Sequence, residues 1–210
     1  MGAALVMRAP KSPATAAVAM EPMLEGGSTF WGAPMLAVRI ALRLIHGLSG
    51  AFWFGSAIGI ALLLEPAAAT LGSSGTRFMA ELFRPGGRTS RFMAGASMLT
   101  VLSGLGLYLM DAGLLPPTGF NPAWAWSPSG LGFLAGGSLG VCALIVGSFL
   151  IRPAAEKWST QAAQRLNAPS ESRFPEAVAL EEARLHRLSR IGALLVFSAI
   201  VLMAVARYLP

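Results

Sequence analysis

Leu44–Leu64, LIHGLSGAFWFGSAIGIALLL, decides the fold. These 21 residues contain no Asp, Glu, Lys or Arg. A helix rises about 1.5 Å per residue, so roughly 20 residues cross a hydrocarbon core of about 30 Å. Three more charge-free runs follow, at 92–110, 129–151 and 191–206. The last is the shortest, and Tyr208 and Leu209 carry it into an interface, giving a span of about 191–208. The chain therefore reads as all-α: an integral membrane four-helix bundle with short interfacial helices. Its transmembrane domain covers 36–210, with spans at about 44–64, 92–110, 129–151 and 191–208.

Composition agrees. Only 12% of the 210 residues are charged, against about 25% in soluble domains. The net charge of +6 would suggest nucleic acid in a soluble protein. Here the arginines sit in loops beside apolar segments, so topology accounts for them and nucleic acid is not an expected partner. Cys142 is the sole cysteine, which excludes an internal disulfide and reads as a small hydrophobe.

Basic residues in short loops mark the cytoplasmic side. The first connection carries Arg77, Arg84, Arg88 and Arg91, the second (111–128) none, and the third seven, from Arg152 to Arg190. The expectation is a bacterial inner-membrane protein with both termini periplasmic; Arg8, Lys11, Arg39 and Arg43 argue the other way. Residues 1–35 form an Ala/Pro-rich extension without a signal peptide's pattern. Its order should depend on a partner, with Phe30, Trp31 and Pro34 as anchors.

The connections carry structure of their own. TRFMAELFR (76–84) spaces Phe78, Met79, Leu82 and Phe83 as an interfacial helix would. Pro175 suits a first helical position, and one helix should run from about Glu176 to Arg207. Ser127-Pro128 reads as the cap and first turn of the third span. Trp124 and Trp126 fit an interfacial belt. The first span exits through LLLEPAA (62–68) and the third through FLIRPAA (149–155). This weak repeat sets Glu65 and Arg152 at one depth with opposite charge, an expected ion pair; equally, proline commonly ends a membrane helix. Gly132, Gly136 and Gly140 in the third span, and Gly55 and Gly59 in the first, recur every four residues, predicting close packing in a compact bundle.

Arg39, Arg43, His46, Gly50 and Trp53 share one helical face. By topology Tyr108, Met110 and Asp111, and then Met203, Arg207 and Tyr208, reach the same end of the bundle. A structural polar cluster of Arg39, Arg43, Tyr108, Asp111 and Arg207 is expected there, with Asp111 pairing Arg39 or Arg43. Two readings of His46 stand. It is a ligand for haem, another tetrapyrrole or copper, with Met110 or Met203 as a soft second ligand. Or it hydrogen-bonds Asp111, Tyr108 or a backbone carbonyl. His186 lies at the opposite end, four residues after Glu182, in what reads as a solvated helical pair. There is no phosphate-binding loop or catalytic triad, and no catalytic residue is expected.

RLIHGLSGAFWFGSAIGIALLLEPAAATLG (43–72) resembles the first helix and exit of copper-resistance-D-like membrane proteins, with a distant likeness to the haem-binding HemJ type of protoporphyrinogen oxidase. FMAGASMLTVLSGLGLYLMDAG, WSPSGLGFLAGG and MAVARYLP resemble uncharacterised four-helix bacterial proteins of that group, and the likeness covers 36–210. It implies His46 as the position for a haem or metal. Glycine-lined helices and few polar groups point instead to a non-catalytic accessory subunit of a respiratory or photosynthetic membrane complex. Its partners would be lipids and other membrane subunits, or copies of itself.

Overall fold

A computed structural model describes residues 28–115, 119–167 and 176–209. The tail at 1–27, the side chains of Phe30 and Trp31, and Pro175 lie outside these residues. The chain divides into two units, 1–37 and 38–210. The described residues are helical and contain no strand. In order they form α1 (Ser28–Gly59), α2 (Glu65–Thr70), α3 (Ser73–Leu82), α4 (Arg88–Asp111), α5 (Pro122–Ala125), α6 (Pro128–Val146), α7 (Arg152–Leu166) and α8 (Glu176–Ala206). Four stretches are long and apolar enough to cross a bilayer: Ala33–Thr70, Arg88–Asp111, Pro128–Leu166 and Leu180–Ala206.

Two of these stretches run straight through a proline. Five-residue π-helical turns, Ile60–Leu64 and Gly147–Ile151, join α1 to α2 and α6 to α7. The Glu65 N–H donates to the Ile60 carbonyl and the Arg152 N–H to the Gly147 carbonyl, each five residues back. The next residues are Pro66 and Pro153, which lack an N–H and whose rings press on the carbonyl four residues earlier. A π turn inserts one residue and loosens the ladder at that point. The helix therefore does not end at either proline, and the sequence repeat reappears as a repeated local structure.

α6 and α8 form the tightest pair. A methyl group on Gly132 would stand 2.6 Å from Ala206 Cβ, and one on Gly136 3.1 Å from the Ala199 carbonyl oxygen. The Ser129 hydroxyl donates to the Ala206 carbonyl at 2.7 Å. Ser127 caps α6 by accepting from the Gly130 N–H, with Pro128 in the first turn. Trp53, Ala143 and Val196 then form a mid-bundle core with Met93, Leu144 and Leu195 around it. Gly140, Gly55 and Gly59 do not join this packing: a Cβ on any of them would meet nothing within 4 Å.

A second core lies beyond the π turns, made by Ile60, Ala68, Met79, Ala155, Trp158 and Leu185. α3 packs into it, burying Met79 and Ala80 against its neighbours while Phe78 stays exposed. A positive-φ turn at Gly72 leads into α3, and Gly75 touches the Ala68 carbonyl so closely that no Cβ fits. The helix expected at 76–84 exists, then, but its buried face meets protein.

Candidate functional site

α1 and α4 lie antiparallel in a clear register. Leu42 meets Gly106, His46 meets Gly104 and Gly50 meets Thr100. Arg39 pairs with Asp111, so of the two arginines expected for that carboxylate it is the half-buried Arg39, further from the middle of the span than Arg43, that takes it. This pair fixes the register and draws His46 inward. His46 therefore does not sit level with Asp111 but about two turns further in, and about one turn further in than Tyr108, since Gly104 is seven residues before the one and four before the other.

There the His46 Nδ1–H donates to the Thr100 carbonyl at 2.8 Å. The ring occupies the space a side chain at Gly104 would need, with Cε1 2.7 Å from that Cβ position. The Thr100 hydroxyl adds a bond to Ser49 Oγ at 2.9 Å. His46, Ser49, Thr100 and Ser103 make a narrow polar seam between two apolar helices. With Nδ1 carrying the proton, Nε2 keeps its lone pair, the state in which imidazole binds metals. Among the described residues no three His, Cys, Asp or Glu side chains gather as a metal site would need.

The other members of the expected cluster have these surroundings. The Tyr108 ring packs on Trp124, centroids 5.4 Å apart at 57°. Met110 is half-buried beside Asp111, six residues past Gly104, and Arg43 and Arg207 are exposed.

At the opposite, arginine-rich end the expected Glu65–Arg152 pair does not form. Arg152 Nε donates to Glu156 Oε1 at 2.9 Å, one turn along its own helix. Glu65, only 6% exposed, stands instead beside α8, its Oε2 3.9 Å from His186 Nε2. His186 and Glu182, expected to be a solvated pair, line a pocket together with Glu65. Lys157 pairs with Glu181, tying α7 to α8 nearby. The Glu156 spacing was visible as an i,i+4 pair. The meeting of Glu65 with His186 has no local signal, because it depends on how α8 packs.

Between these two regions lies an apolar cavity of about 140 Å³ walled by all four long helices, with Trp53, Met93, Ala143 and Val196 among its lining. Ser90, Arg152, Glu156 and Ser189 make its polar end. No protein family, curated protein or solved structure matches the chain.

Proposed function

We propose that the chain is a non-catalytic integral membrane subunit that packs within a larger membrane complex, respiratory or photosynthetic. One observation carries this reading. Gly47, Ala51, Gly55 and Gly59 repeat every four residues along α1, and a Cβ at any of the three glycines would meet nothing within 4 Å. In lipid, helices associate through close backbone approach at such small-residue stripes. Gly132 and Gly136 serve that purpose inside the chain, and the α1 stripe offers the same surface outward. In this reading the arginine-rich connections face the cytoplasm of a bacterial inner membrane.

The test is to extract the tagged full chain from its native membrane in mild detergent and size it by native electrophoresis. Wild type should run well above the single-chain mass with other subunits identified in the band, and Gly55→Leu should run as the single chain with its helicity intact. A series of exact multiples of the chain mass would replace the hetero-complex with self-association. Wild type at single-chain mass would end the proposal.

The free Nε2 of His46 favours a second reading, a haem- or copper-binding redox protein. A Soret band or stoichiometric copper in the purified chain, lost in His46→Gln, would establish it over the first.

A further inference from the structure

Glu65 is 6% exposed, and its Oε1 is buried without a hydrogen-bond partner. Its Oε2 reaches only to 3.9 Å from His186 Nε2, beyond hydrogen-bond length. Trp158 is 5% exposed and its indole N–H is likewise buried and unpartnered. Both side chains line one pocket of about 180 Å³, shared with Glu182, His186 and Thr76. Buried polar groups are almost always satisfied by protein or by ordered water. An orphaned acceptor and an orphaned donor on one cavity call for a filler that both gives and takes hydrogen bonds. Water does both, and a single water needs only about 10–15 Å³ of such space.

The pocket also holds a carboxyl group and an imidazole, each able to bind a proton. Besides His186, α8 presents Glu182 and Arg190 to Glu65, and the Ser189 side chain hydrogen-bonds its carboxylate. α3 and α7 contribute Gly75, Thr76, Met79 and Trp158 to the wall, none of which titrates. Exposed Ala69 and Gly72 form the rim, giving water a way in.

We infer that Glu65 and His186 form a proton-binding pair, loaded and unloaded through water held in this pocket. The exchange is simple in its balance. A hydronium ion in the pocket gives its proton to Glu65 Oε1 or His186 Nε2 and is left as water, and no electrons move. With one proton aboard, the pair is either a neutral acid beside a neutral imidazole or a carboxylate beside an imidazolium. The Trp158 N–H anchors the water that joins them.

Infrared difference spectra of the full chain in lipid nanodiscs, titrated from about pH 4 to about pH 9 to span free carboxylate and imidazole values, test this. A carbonyl-stretch band of a protonated carboxylic acid should titrate in wild type and vanish in Glu65→Gln. His186→Gln should move its midpoint by about one pH unit, a tenfold change in proton affinity. Trp158→Phe, which keeps an aromatic side chain and removes the N–H, should shift the band's frequency. Identical titrations of wild type and Glu65→Gln would overturn the inference, and an unmoved midpoint in His186→Gln would overturn the pairing. Should Glu65→Gln fail to fold, the His186 and Trp158 variants decide the matter by the same readouts.

Discussion

The imidazole of His46 joins α1 to α4 through a carbonyl in the middle of a helix. A carbonyl has no sequence identity, so a backbone carbonyl could be expected among the partners while the residue that supplies it, Thr100, could not be named. The stripe through Gly50 correctly directs His46 at a neighbouring helix. Membrane hydrogen bonds between helices contribute about 0.6 kcal/mol on average, up to about 1.7. His46→Ala should therefore lower stability by about 1 kcal/mol in a detergent-denaturation titration. His46→Gln, which keeps a donor of similar reach, should stay within about 0.5 kcal/mol of wild type. Equal losses in the two variants would mean that ring packing against Gly104, not the hydrogen bond, holds the seam. The charged residues teach a related lesson. Arg152 found Glu156 because i,i+4 partners on one helix meet without help from the fold. Glu65 found His186 only because α8 folds back beside α2.

Among the elements, span number was plain in the charge-free runs, and α8's extent in the breaker-free stretch that follows Pro175. The unbroken passage through Pro66 and Pro153 was not. Proline reads as a stop because it costs a hydrogen bond and clashes with the preceding turn, and nothing in local composition announces a π turn that relieves the clash. The turn also sets register. Each α-helical residue advances about 100°, and the extra residue in Ile60–Leu64 lets Trp53 and Glu65 both point inward. Deleting Leu62, which is 58% exposed, should restore regular helix with Trp53 and Glu65 still on one face, because eleven steps of about 100° bring them within about 20° of each other. The expected result is a cooperative unfolding transition and a yield in membranes close to those of wild type. Leu63→Ala, equally exposed and without change of length, should behave as wild type. A deletion variant that no longer unfolds cooperatively would show that the packing on either side needs the turn itself and not only the register it sets.

For the whole molecule, the contrast between α6–α8 and α1 matters most. Gly132 and Gly136 are filled by Ala206, Ala199 and Met203, whereas α1 is held by the seam to α4, by Trp53 and Phe54 at the mid-bundle core, and by Phe54 stacked on Phe197 of α8. Four apolar helices were legible at once, but which glycine stripe meets which helix is settled by three-dimensional competition among similar surfaces. The proposed orientation is open to direct measurement, since Cys142 is the only cysteine. On a Cys142→Ser background, a cysteine at Gly119 should react with a membrane-impermeant thiol reagent added outside intact cells, and one at Gly86 only after lysis. The reverse pattern would invert the topology. The paired π turns have one more consequence. Ile60 and Ile151, one in each turn, enter the same core, so two loosened points in neighbouring helices line up as a crease across the protein. A thinner bilayer can then be met by folding α2, α3 and α7 along that crease rather than by tilting every span, leaving the packing around Trp53 undisturbed.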